Sequence, residues 1–236
     1  MRRAAYPALL LAAILASPAP AAASTFGERT FTCPVTGKPF KATVQVSGNQ
    51  FGVDLDMRPY GAIAVPWPLA VCPDPSRFPL FQDSFSPAEV ARIREIVAAS
   101  DYKQVIAEGH QSYYVAGRLQ RMLGQAPMQV AQSFLSASWQ AAPGSSQQKR
   151  YLTEARTQFA LAADAPGRPV EAVRIARFLQ VELSRQLGEF DKALGMLDAW
   201  FPPGSAQDKG FAAFLRDERE ALQQRNDAPV QVRPAP

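Results

Sequence analysis

The sequence predicts an α+β chain in which a small N-terminal β module precedes an antiparallel stack of helices. Three observations carry this. Residues 40–56 alternate apolar and polar side chains with a period of two. Residues 86–225 repeat their apolar positions at helical spacing. A block of six prolines between residues 59 and 79 separates the two textures.

The 236 residues are 47% apolar and 19% charged, which suits one or two domains with a real core and excludes a charged disordered polymer. A single histidine and two cysteines cannot build a multi-ligand zinc or iron site of the usual kind. At the start, Arg2 and Arg3 precede an apolar stretch from Ala8 to Ala16. Small residues follow, ending in Ala21-Ala22-Ala23 before Ser24. This pattern predicts a signal peptide over residues 1–23, since the apolar run falls short of the roughly 20 residues a membrane span needs. No cysteine follows it, so no lipoprotein anchor is expected, and the protein is expected to be periplasmic or secreted. Cleavage would remove two arginines and no acid, leaving 23 bases against 21 acids and a net charge of +2 instead of +4. No later window stacks basic residues with interleaved aromatics, so no nucleic-acid partner is expected. No later segment is apolar for long enough to span a membrane. In an oxidising compartment an even pair of cysteines favours a disulfide over two thiols.

The β module is expected over residues 24–85. Phe40, Ala42, Val44 and Val46 alternate with Lys41, Thr43 and Gln45, as in a half-buried strand. Ser47-Gly48-Asn49 reads as a turn. Phe51, Val53 and Leu55 then alternate with Gly52, Asp54 and Asp56 as the returning strand of a hairpin. Leu69 to Cys72 could add a further short strand. The prolines restrict the rest of the module to edges and turns.

The helical domain is expected over residues 86–225. Ser86-Pro87-Ala88-Glu89 is a capping box with proline at the first helical position. Apolar stripes then run through Ile93, Val115, Leu119, Phe134, Tyr151, Phe159, Leu179, Leu183, Leu197 and their neighbours. Gly124, Pro127, Pro143-Gly144, Pro166-Gly167, Gly188 and Pro202-Pro203 interrupt them. Joints this short turn neighbouring helices antiparallel, and pairs too small to fold alone must stack. Residues 226–236, proline-rich and without periodicity, are expected to form a disordered tail.

Two stretches resemble known families. Leu183 to Leu197, with Gly188, Phe190 and Ala193, resembles the joint of a tetratricopeptide repeat. Leu123-Gly124 repeats the glycine of that joint, with Ala126 in place of the aromatic. Cys33-Pro34-Val35-Thr36-Gly37-Lys38-Pro39-Phe40 and Val71-Cys72-Pro73-Asp74-Pro75 together resemble a bacterial family of unknown function. That family pairs a CPxC…CPxCG zinc knuckle with a tetratricopeptide-like helical tail. The second thiolate of each knuckle is Thr36 and Pro75 here, and neither replaces a zinc-binding sulfur. The resemblance therefore implies a zinc-ribbon-like module without metal or other cofactor. One cysteine survives from each knuckle, and a Cys33–Cys72 disulfide would take over the staple. Closing a loop of this size would stabilise by about 4 kcal/mol in the chain-entropy model.

Catalytic signals are sparse. His110 stands at a helix start with no nucleophile motif around it, and no phosphate-binding, dinucleotide or serine-hydrolase motif occurs. Asp54 and Asp56, two apart on a strand, would share a face, an ordinary solvated one or, with Arg58, a divalent-cation or acid–base site. Trp139 and Trp200 fall on helical stripes, while Trp67, between two prolines, is harder to bury. The leading expectation is a non-catalytic interaction or scaffolding protein that binds a protein or peptide of the cell envelope. The alternatives are a hydrolase or metal-dependent enzyme at Asp54/Asp56, and a sugar-binding module using exposed rings. The oligomeric state is not encoded in any of these patterns.

Overall fold

The computed structural model describes residues 24–73, 75–203 and 209–234, and the expected signal peptide lies outside them. Among the described residues, four strands precede eight helices: β1 (Thr25–Thr32), β2 (Pro39–Ser47), β3 (Asn49–Val53), β4 (Pro59–Ala62), α1 (Pro87–Ala98), α2 (Ser100–Ala107), α3 (Ser112–Met122), α4 (Pro127–Gln140), α5 (Ser146–Asp164), α6 (Val170–Gln186), α7 (Phe190–Trp200) and α8 (Lys209–Gln223). A small β region followed by a packed stack of helices is the α+β order read from the sequence.

The strand pairing differs from expectation. β2 does not fold back on β3. It pairs antiparallel with β1, from Thr25↔Ser47 to Thr32↔Pro39, while β3 pairs with β4. Only Gly48 lies between β2 and β3, and the common tight hairpins need two loop residues. Gly48 instead forms a corner between two separate ribbons. A Cβ there would stand 2.7 Å from Gln45 Nε2 and 3.0 Å from the Ala62 carbonyl oxygen, so the corner accepts only glycine without adjustment. β1 carries little apolar alternation, because Phe26 and Phe31 fall on opposite faces. Leu69–Cys72 contributes no strand, only an isolated bridge between Val71 and Pro79.

The tail is a second correction. Val230 and Val232 pack against the core beside Leu55. The Leu55 amide donates to the Val230 carbonyl at 2.8 Å, and the Val232 amide donates to the Val53 carbonyl at 3.0 Å. The tail therefore forms an isolated antiparallel bridge, Gln231 to Asp54, just past the end of β3, anchored by Arg233, whose guanidinium donates to Asp217 and Glu220. Alternating Val230-Gln231-Val232 has the period of a strand, too short to stand out among prolines.

The helices form where their signals predict. Ser86 Oγ accepts from the Glu89 amide while the Glu89 carboxylate accepts from the Ser86 amide. Gly124 and Gly188 end α3 and α6 at φ 72° and 78°, and in both joints the next residue's amide reaches back five positions, Gln125 to Gln120 and Glu189 to Ser184. From α3 to α7, each helix packs on the one that follows it in sequence. The β region has no core of its own. Cys33, Cys72 and Phe78 join the cluster formed by α1–α6, and Leu55 joins that of α6–α8 and the tail.

Candidate functional site

Two short knuckles meet at the front of the molecule. In the first, the Cys33 amide donates to the Lys38 carbonyl and the Gly37 amide to the Cys33 carbonyl, with Gly37 at φ 72°. In the second, the Cys72 amide donates to the Phe78 carbonyl and the Leu80 amide to the Ala70 carbonyl. Cys33 and Cys72 are joined by a disulfide, with Cα atoms 5.5 Å apart and both residues buried. It ties the end of β1 to the proline-rich segment across 39 positions of sequence.

That tie shapes a groove of about 670 Å³ between the β1–β2 ribbon and residues 67–85. Arg29, Phe31 and Val44, on one face of the ribbon, line one wall, and Leu80, Phe81 and Tyr113 contribute to the other. The register fixes how β1 borders this space. Pro39 has no amide hydrogen and sits opposite Thr32, so this pair exchanges no full set of ladder bonds. Two steps along, the Thr43 carbonyl, opposite Glu28, accepts from Trp67 Nε1 at 2.9 Å and so points away from β1. By alternation, Glu28, Thr30 and Thr32 turn their own N–H and C=O groups outward from β1. Among the described residues no strand pairs with that edge.

Trp67 is half-buried and packs on Phe26, with ring centroids 4.5 Å apart and the planes tilted by 35°. It covers the far edge of β2. Trp139 and Trp200 lie on α4 and α7, so the three indoles form no common platform. Arg177 rests over the Trp200 ring.

Asp54 and Asp56 are not on a solvated strand face. The strand ends at Val53, and the next residues form a turn in which the Met57 amide donates to the Asp54 carbonyl and Met57 adopts φ 65°. Asp56 is only 3% exposed. Its Oδ1 accepts from the Arg58 amide at 3.1 Å, and its Oδ2 accepts from Trp139 Nε1 at 2.7 Å and Gln186 Nε2 at 3.2 Å. Burial, and then the neighbouring Glu182 charge, push its carboxyl up to about 6. Asp54 lines a separate open pocket with Arg58 and Tyr60, and burial raises its pKa as well. Arg58 donates to the Val65 carbonyl. The Asp56 carboxylate is thus a bolt from the β region into α4 and α6.

Beneath it lies a cluster that sequence reasoning missed. Glu182, Arg185 and Glu218 are all fully buried. Glu182 accepts two bonds from Arg185, at 2.8 and 2.7 Å, and one from Gln186 at 2.7 Å. Arg185 also donates to the Asn226 and Ala228 carbonyls at the root of the tail. Glu218 stands 3.5 Å from Arg185 Nε, without a hydrogen bond to it. Burial, and then the Glu182 charge, raise the Glu218 pKa well above its ordinary value. The sequence of α6 mixes charged, polar and apolar residues, and only the fold shows that every residue from Phe178 to Arg185 is buried, so that its charges need partners.

His110 is also structural in its contacts. Its ring nitrogens lie 2.8 Å from Tyr151 Oη and 2.7 Å from Glu108 Oε2, joining the α2–α3 connection to α5. Tyr151 stacks on Tyr114. Burial pushes the Tyr151 phenol up to about 12, which leaves it neutral and unsuited to act as a base.

Among the described residues, no group of three histidine, cysteine or carboxylate side chains is arranged to hold a metal ion, and no helix is long and apolar enough to cross a membrane. Compared with family models, curated proteins and solved structures, the chain matches none.

Proposed function

We propose that this chain is an exported, non-catalytic interaction protein of the cell envelope that captures an extended peptide segment of its partner. In this reading the β region is a zinc ribbon whose metal has been replaced by the Cys33–Cys72 disulfide, and the helices are a tetratricopeptide-like stack that holds it in place. The two facing knuckles and the matched glycine joints at Gly124 and Gly188 support these likenesses. The disulfide supports an oxidising compartment.

The observation that carries the reading is the outward row of main-chain groups on β1 beside an aromatic-walled groove. A partner strand added to such an edge gains main-chain hydrogen bonds, and its alternate side chains enter the groove. Arg29 at the groove makes no ion pair among the described residues, so an acidic residue in the partner segment has a cation to meet. The enzyme reading at Asp54/Asp56 lacks comparable support, because both Asp56 oxygens already accept hydrogen bonds inside the protein.

Thr30→Pro tests the proposal. It removes an outward amide hydrogen and leaves the bonds between β1 and β2 intact. Lys41→Pro makes the matching change on the far edge of β2, since Lys41 lies opposite Thr30. Binders selected from a random heptapeptide library against the wild-type chain are expected to lose at least about tenfold in affinity with Thr30→Pro and to keep it with Lys41→Pro. Equal binding to the two variants would overturn the reading.

A further inference from the structure

A second cavity, of about 450 Å³, lies where the tips of the knuckles meet α1 and α2. Val35, Val97, Tyr102 and Ile106 give it apolar walls, and its lining residues include two cations, Arg94 and Lys103, but no carboxylate. The cavity is preformed. Arg94 donates to the Val35 and Pro34 carbonyls, fixing the first knuckle to α1. Tyr102 Oη donates to the Ser76 and Arg77 carbonyls, fixing the second to α2. The disulfide locks the knuckles to each other.

We infer that this cavity binds an unbranched alkyl carboxylate, with the chain inside and the carboxylate at Lys103. The inference is independent of peptide capture on β1. Charge complementarity selects the headgroup: no ion pair holds Lys103 among the described residues, and nothing acidic lines the site to compete for it. Polar accounting selects the tail. The Pro34, Val35, Ser76 and Arg77 carbonyls and the Tyr102 hydroxyl are all used within the protein, and Thr36 Oγ1 accepts from the Lys38 amide. A peptide backbone entering here would bury N–H and C=O groups without partners, at a cost of about 1–3 kcal/mol each, whereas an alkyl chain has none to satisfy. Apolar walls with a few polar groups at the mouth are the usual form of a small-molecule site.

Calorimetric titration of the purified full chain with dodecanoate, below its micelle concentration and at low salt, tests this. One saturable site is expected. Lys103→Glu should weaken it about tenfold, and dodecan-1-ol should bind about tenfold more weakly than dodecanoate. Ala98→Trp, at the exposed end of α1, should fill the cavity and abolish the site, with an unchanged melting profile showing that the fold is kept. A tetrapeptide of apolar residues with a free C-terminus should not compete. Absence of a saturable site, wild-type affinity in Lys103→Glu or Ala98→Trp, or a peptide that binds as tightly as dodecanoate would each overturn the inference.

Discussion

The ribbons β1–β2 and β3–β4 come from adjacent stretches of chain and are each only two strands wide, a size that is marginal by itself in water. They are made stable by different means. β3–β4 is bridged by the tail through two backbone hydrogen bonds, is followed by a completely buried Leu55, and sends Asp56 into the helices to meet Trp139 and Gln186. β1–β2 is held at one end by the disulfide, by half-buried Phe40 and by Trp67 over its far edge, while among the described residues no strand pairs with the outer edge of β1. An edge strand left open is a liability for aggregation unless it is short, charged or used. Glu28 and Arg29 place charge along this one, and Lys41 of β2 pairs with Glu28. The contrast locates stability in the second ribbon and availability in the first.

The largest effect is expected on the closed side. Arg185→Met removes the one cation that, among the described residues, stands beside both Glu182 and Glu218, and the donor to the Asn226 and Ala228 carbonyls. A loss of about 3–5 kcal/mol is expected by urea unfolding, because the buried Glu182 carboxylate is left without the cation that it accepts two hydrogen bonds from. A loss under about 1 kcal/mol would remove the cluster from its role as anchor of the tail.

On the open side, Cys33→Ser with Cys72→Ser should cost about 4 kcal/mol in the chain-entropy model. The same variant separates the two regions further. Proteolysis of the unligated double variant should begin in residues 25–47 and leave 49–62 intact at first. Cleavage that starts equally in both ribbons would contradict their different anchoring.

A smaller effect depends on pH. Asp56 titrates at about 6 in the folded protein against an ordinary value of 3.8, so its protonated form favours the folded state. Its contribution is fully present below about pH 4 and is lost as pH rises to about 6, amounting to roughly 3 kcal/mol. Asp217, lowered to about 2, acts in the opposite sense: its stabilisation is present above about pH 4 and is lost as pH falls towards 2. Asp56→Asn should shrink the decline in unfolding free energy between pH 4 and pH 6.5, leaving the parts due to Asp54 and Glu218, whose pKa values are also raised. An unchanged decline would place its cause elsewhere.

Most of the helical half was legible in the sequence, because its signals are local: the Ser86–Glu89 box, the Gly124 and Gly188 joints, and apolar spacing at Tyr151, Phe159 and Leu183. The disulfide followed from two knuckle-like stretches with one cysteine each. Pairing between strands was not legible, because register depends on partners distant in the chain. Phe40 to Val46 announces a strand without saying that Thr25 to Thr32, rather than Phe51 to Leu55, lies beside it. The Asp54/Asp56 spacing was misleading for a related reason: a period-two rule holds only while the strand lasts, and the turn after Val53 sends Asp56 inward. The buried Glu182–Arg185–Glu218 cluster joins α6, α8 and the tail, so no local pattern could reveal it.

Amide hydrogen exchange on the free protein tests the contrast between the ribbons most directly. The Leu55 and Val232 amides, which donate to the tail and to β3, are expected to exchange slowly, while the outward amides of Glu28, Thr30 and Thr32 exchange close to the rate of unstructured chain and the inward Arg29 amide remains protected. Protection at Thr30 equal to that at Arg29 would mean that the β1 edge is already occupied, and would contradict the account.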